Sequence, residues 1–205
     1  MFDSTILSAM MSLNLRSINS VMLYFRRECY AKGSKMHLPY PTENTVRVLL
    51  FNEKTELFLQ GVDIPGKPHF YITPGGRVDG EGESLLEAVR REVREETGFR
   101  NIVITTEEPL FTGRHEMQRG DGVVSLTEHF FLAWLGEEDD QIVKDHQSLT
   151  PEEHSVFTSQ RWFRLEELDS SSIVHVPVNL KQFAEACLSG APLPAIDFSD
   201  PEEFG

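Results

Sequence analysis

The chain is poor in cysteine and in basic residues, and it contains no long apolar run. Its two cysteines, Cys29 and Cys187, form neither a metal-binding spacing nor a disulfide framework, so a reducing, cytoplasmic location is expected. Nineteen Lys and Arg residues stand against 33 Asp and Glu, a formal net charge of −14. That balance argues against an extended nucleic acid gripped along its phosphates. A small phosphorylated ligand is compatible with it, because a bound divalent cation reverses the local sign. No stretch approaches the ~20 apolar residues that cross a bilayer. The run VMLYF at 21–25 stops at Arg26 and Arg27, so no membrane partner is expected. Internal repeats and low-complexity tracts are missing as well.

What is present fits one soluble domain with extensions at both ends. Residues 1–43 are rich in Met, Ser and Asn, with Arg16, Arg26, Arg27, Lys32 and Lys35 against Asp3, Glu28 and Glu43. They read as a docked helix, an organelle leader, or a segment upstream of a true start at Met36. Residues 44–190 form the domain, and 191–205 a tail that is extended or frayed. Within the domain, 45–51, 55–61, 69–73, 101–106, 109–116, 128–136 and 156–165 are predicted strands, rich in β-branched and aromatic residues. The run EEDD at 137–140 opens a polar, solvated loop through Pro151. Helices are predicted over 84–97 and 179–190, each stopped by a glycine, Gly98 and Gly190. Many strands and two helices make a mixed-sheet α/β (α+β) sandwich.

The first helix carries the chemical signal. Ser84 and Glu87 form a capping box at its start. At ~100° per residue, Leu85, Val89 and Val93 define a buried stripe, while Glu87, Arg90, Arg91 and Arg94 take the solvated face. Glu92, Glu95 and Glu96 fall at about 340°, 280° and 20° from Leu85, beside or within the stripe. A buried unpaired carboxylate costs several kcal/mol, so these three need a counter-charge. Arg91 is one source, but a single arginine is expected to neutralise one carboxylate rather than three. A hard cation that accepts several carboxylate oxygens answers the whole group, and Mg²⁺ is the usual choice where phosphates complete the shell. The preceding loop, TPGGRVDGEGE, places Gly75, Gly76, Gly80 and Gly82 where backbone groups can approach an ion or phosphate.

Together these residues resemble the signature of the Nudix hydrolase family: G, five residues, E, seven residues, then REUxEExGU with U a bulky aliphatic. REVREETGF at 91–99 fits the second half, and seven residues lie between Glu83 and Arg91. One departure stands out: six residues rather than five separate Gly76 from Glu83, an extra residue around Asp79–Glu81. The wider resemblance runs from Thr45 to Leu168 and includes RVLLF, EHFFLAW and RWFRLEEL.

The resemblance implies a Nudix sandwich and metal-dependent hydrolysis of a nucleoside diphosphate linked to another moiety, with Mg²⁺ or Mn²⁺. It implies Glu92, Glu95 and Glu96 as metal ligands, joined by a carbonyl of Gly75 or Gly76, with Glu83 as an additional or supporting ligand. Arg91 would orient the carboxylates. Acid–base work falls to Glu92 or Glu95 within the motif, or outside it to Glu128 at the start of a strand, or to Glu152 or Glu153 on a closing loop. Arg77, next to the Gly pair, and Arg47 are candidate phosphate contacts, and Tyr71 a candidate pocket residue. His115 and His129 read as ordinary edge residues and Trp162 as core. Where ADP-ribose-type members carry a proline this chain has Arg114, and the markers of dinucleotide, NADH and coenzyme A subfamilies do not occur. A nucleotide sugar, a nucleoside triphosphate or a dinucleotide therefore all fit. The alternatives are a nucleotide-sensing module of the same fold and an isoprenoid diphosphate isomerase, for which neither cysteine is well placed. A homodimer is a family-level expectation.

Overall fold

The computed structural model describes residues 41–64, 67–80, 82–119, 122–136 and 157–198. The readings of the leader, Cys29 and Met36, of Glu81, of the loop with Glu152 and Glu153, and of the last seven residues lie outside them.

Strands β1 (Thr42–Phe51), β2 (Leu57–Val62), β3 (Phe70–Ile72), β4 (Ile102–Ile104), β5 (Phe111–Arg119), β6 (Gly122–Leu135), β7 (Phe157–Phe163) and β8 (His175–Val176) form one mixed sheet. Helices α1 (Leu85–Thr97) and α2 (Leu180–Ser189) pack on it, and a 3-10 turn spans Leu165–Asp169. This is the α+β architecture anticipated above.

The apolar run VRVLLF reads as a strand buried on both faces, and β1 is central. It pairs parallel with β6 over ten residues, from Thr42↔Ser125 to Phe51↔Trp134. The two helices cover opposite faces. Phe183 of α2 packs on Phe111 and Phe130. Phe99, just past α1, packs on Phe58. Arg47↔Phe130 and Phe51↔Leu57 put Leu57 on the face of Phe130, and Phe58, the next residue, points the other way.

β1 and β2 are registered at Phe51↔Leu57 and then diverge. The glycine loop fills the wedge between them: Val46 N–H donates to Gly76 O at 2.8 Å and Val48 N–H to Pro74 O at 3.0 Å. The wedge brings the loop, β1 and α1 together.

Three expectations need correction, and one strand was not foreseen. β6 starts at Gly122 rather than at residue 128, because its first half pairs with β5 in a hairpin whose polar positions mask the period. β8, at two residues, is too short to leave a periodic signal and exists through its pairing with β3. The final predicted strand ends at Phe163 and gives way to the 3-10 turn. The tail is extended over 191–198 but docked rather than frayed, with Leu193, Ile196 and Phe198 packed against the core.

Candidate active site

α1 is bounded by the caps its sequence carries. The Ser84 N–H donates to Glu87 Oε2 at 2.8 Å, and the Glu87 N–H donates to Ser84 Oγ at 3.3 Å. At the other end Gly98 adopts φ 78°, and its N–H donates to Arg94 O at 3.0 Å. Between the caps, Glu92 and Glu96 are buried, whereas the Glu95 side chain is 38% exposed.

Arg91 bonds to three carboxylates. Its Nε and Nη2 donate to the two oxygens of Glu83 at 2.7 and 2.9 Å. Its Nη1 donates to Glu92 at 2.7 Å and Glu95 at 3.2 Å, and Nη2 also reaches Arg77 O at 2.8 Å. Bonds to three carboxylates are possible because the guanidinium fork has five N–H donors, but its single positive charge still balances only one of them. Its strong bond to Glu83 raises the Arg91 pKa further and holds Glu83 below the usual carboxylate range. Burial, reinforced by Glu95 and Asp79, overrides Arg91 at Glu92 and pushes that carboxyl up to about 8.

Glu96 is held differently. Its Oε2 accepts the Gly75 N–H at 3.1 Å, and Gly75 has φ 135°, a conformation suited to glycine. The Glu96 carbonyl lies in the last turn of α1, where carbonyls reach beyond the helix for hydrogen bonds. It accepts from Gln160 Nε2 at 2.6 Å and Gln60 Nε2 at 3.4 Å, two residues directly opposed on β7 and β2. This glutamine pair was not anticipated. The one available signal was Gln60 itself, a polar residue in the apolar run LFLQGV.

The loop residues differ in their availability. The Gly76 carbonyl is engaged with β1, which leaves that of Gly75 as the better candidate ligand. Arg77 keeps a side chain 34% exposed, 3.8 Å from Asp79. The Asp79 N–H donates to Glu83 at 2.6 Å, so the longer loop still closes onto Glu83.

Arg47 does not stand open to a phosphate. It is buried on β1, and its Nε donates to Glu128 Oε1 at 2.8 Å. Glu128 lies within β6 rather than at a strand start and is fully buried. Arg47 also feels the charges of Glu96 and Glu92, which links the buried pair to the acidic helix. Tyr71 packs edge-on against His69 and Phe163, each at 4.8 Å, and belongs to the β3–β7 face rather than to the carboxylate group. Trp162 packs on Phe58 and Phe99, as a core residue does. His129 bonds Asn44 and Thr112. His115 sits on β5, which among the described residues pairs only with β6, as expected of an edge residue, but its ring is half-buried: burial holds its pKa low, and the ring lies 4.6 Å from that of Phe198.

The donor set suits a hard divalent cation: carboxylate oxygens, a glycine carbonyl, and acidic neighbours whose charge adds to the burial that raises Glu92. Among the described residues no three acidic, His or Cys side chains converge on one point as they stand. The cause is visible in the bonds above, since Arg91 draws Glu83, Glu92 and Glu95 to itself while Gly75 holds Glu96.

The family model of the NUDIX domain matches residues 41–184. Among solved structures, the MutT protein from Methanosarcina mazei Go1 is 23% identical, with a TM-score of 0.49 over 75% of this chain and 98% of that one. A NUDIX hydrolase from Nitrosomonas europaea is 18% identical, with a TM-score of 0.47 over 76% and 93%. A Caenorhabditis elegans Ap4A hydrolase in a binary complex is 19% identical, with a TM-score of 0.42 over 73% and 98%. Among curated proteins, none matches.

Proposed function

The chain belongs to the Nudix family and is a Nudix-type pyrophosphohydrolase, and on that premise we propose that it cleaves the diphosphate of a nucleoside diphosphate linked to another moiety, using Mg²⁺ or Mn²⁺. The observation that carries this reading is the pair of buried carboxylates, Glu92 and Glu96, facing a glycine loop that already donates a backbone N–H to one of them.

Glu92, Glu95 and Glu96, with the Gly75 carbonyl, would hold the cation. When bound, it neutralises charge on the diphosphate and makes an attacking water more acidic. The other residues position and exchange protons. Glu83 and Arg91 form a brace that aims Glu92 and Glu95. Arg77, beside the glycine pair and part exposed, meets phosphate oxygens. Glu92 or Glu95 takes up a proton from the attacking water, while Glu128, buried with its Oε1 held by Arg47, fixes that guanidinium, which feels the charges of Glu92 and Glu96. Much of the catalysis is positioning and electrostatics, as in-line attack at phosphorus demands.

Nucleotide sugars, nucleoside triphosphates and dinucleotides are the substrate classes, and a soluble cytoplasmic protein is the setting. The test is phosphate-coupled hydrolysis across a panel of these, with and without Mg²⁺ or Mn²⁺. Cation-dependent release from one class supports the proposal. Silence across the panel by a protein that still binds the cation would instead favour a nucleotide-binding module.

A further inference from the structure

The docked tail, beyond the residues matched to the family, covers the sheet face that carries Arg47 and Glu128. It is fastened by backbone and side-chain bonds. The Val178 N–H donates to Asp197 O at 2.9 Å, Asn179 Nδ2 donates to Ala195 O at 2.7 Å, and the Asp197 N–H donates to Asn179 Oδ1 at 2.9 Å. These bonds deliver Phe198 to a particular place. Its ring lies 4.6 Å from His115 and 6.2 Å from Phe130. A Cβ built on Gly113 would sit 3.2 Å from it and 3.1 Å from the Phe111 ring, so the Phe198 ring fills, beside Phe111, the notch that glycine leaves.

The register makes that notch significant. Gly113 is directly opposite Glu128, His115 opposite Leu126 and Phe111 opposite Phe130. Side chains opposed in an antiparallel pair share a face. On the other side of β6, Thr45 is registered with Glu128 and Arg47 with Phe130. Glu128 therefore has the Arg47 guanidinium on one flank and, on the other, the Gly113 position against which the Phe198 ring packs.

We propose that Phe198 is a positioning residue, seated in the Gly113 notch to wall off the Arg47–Glu128 pair from water and fix its geometry. An ion pair gains strength as solvent is removed, and a carboxylate packed on one side has fewer rotamers to explore. Any catalytic consequence rests on the hydrolase reading above. The packing consequence does not.

The test uses the full chain, labelled with ¹⁵N, and reads solvent exchange of the Arg47 Nε–H by NMR in the wild type, Phe198→Ala and Phe198→Leu. In the wild type that proton is protected. Phe198→Ala is expected to speed its exchange about tenfold or more, with the β1 amides of Val48 and Leu50 unchanged, and Phe198→Leu to restore most of the protection. In turnover, Phe198→Ala should lower kcat with little change in KM. Unchanged Arg47 Nε–H exchange in Phe198→Ala overturns the proposal. So does an equal acceleration at Val48 and Leu50, which would make Phe198 an ordinary stabilising contact. If no substrate is hydrolysed by any form, the hydrolase reading fails while the exchange experiment still decides this one.

Discussion

Glu96 and Gly75, 21 residues apart in sequence, are joined by one hydrogen bond of 3.1 Å from the glycine N–H to the carboxylate. The bond couples the C-terminal turn of the acidic helix to the loop that fills the wedge between β1 and β2. Glu96→Gln keeps an oxygen for this bond but removes the charge. We expect the fold to persist and the affinity for Mg²⁺ or Mn²⁺ to fall by about 10–100-fold. Calorimetric titration measures it, and unchanged affinity would remove Glu96 from the proposed ligand set.

Glu95 is the most exposed carboxylate of the group and shares Arg91 with Glu92 and Glu83. Glu95→Gln is expected to abolish turnover while shifting stability by no more than about 0.5 kcal/mol, as is usual for an exposed position. Parallel kinetic assays and thermal melts would decide. Retained turnover at saturating cation would show that Glu95 takes no part in the chemistry.

Glu92 makes the cation-free protein sensitive to pH. Its carboxyl has an ordinary value of 4.5 and is pushed up to about 8 by burial when folded. The folded chain thus holds a proton that the unfolded chain releases, and stability falls as pH rises between these values. The favourable contribution is complete below pH 4.5 and gone above about 8. Urea melts with chelator present should show stability declining from pH 5 to pH 8, by on the order of a few kcal/mol at most. Glu92→Gln should flatten that decline. Identical slopes in the two proteins would contradict the assignment.

The Arg47–Glu128 pair is buried on both sides. Arg47→Met leaves an uncompensated carboxylate and should cost about 3–5 kcal/mol. Adding Glu128→Leu should recover part of this loss, because the isolated charge is then gone. Denaturant midpoints of the single and double variants test the pair. A double variant weaker than the single one would show that Glu128 is stabilised by more than Arg47.

Ser84 closes the capping box at the start of α1. Ser84→Ala should cost about 1 kcal/mol, and Ser84→Asp should restore it. Thermal melts of both variants suffice, and an indifferent response would mean that packing alone fixes the helix start.

The sequence made α1 legible because everything that defines it is local. The cap, the glycine stop, the apolar stripe and the misplaced carboxylates all lie within Ser84–Gly98, and a fixed helical pitch converts spacing into direction. The buried state of Glu92 and Glu96 followed from that pitch alone. Less could be read of Arg91: its single neighbour in the sequence argument became three carboxylates once the loop folded back and brought Glu83 within reach.

What tertiary structure alone decided lies between elements. Arg47 looked like a phosphate contact until the parallel pairing of β1 with β6 set it beside Glu128. Gln60 and Gln160, a hundred residues apart, meet at the Glu96 carbonyl through strand register. Phe198 reaches the Gly113 notch because Asn179, at the head of α2, fastens the tail. Helix periodicity and capping act over a few residues, so the sequence by itself determined the acidic helix and the chemistry it invites. Register, divergence of strands and the docking of a tail are set by the whole packed sheet, so only the fold decided which residues surround that helix.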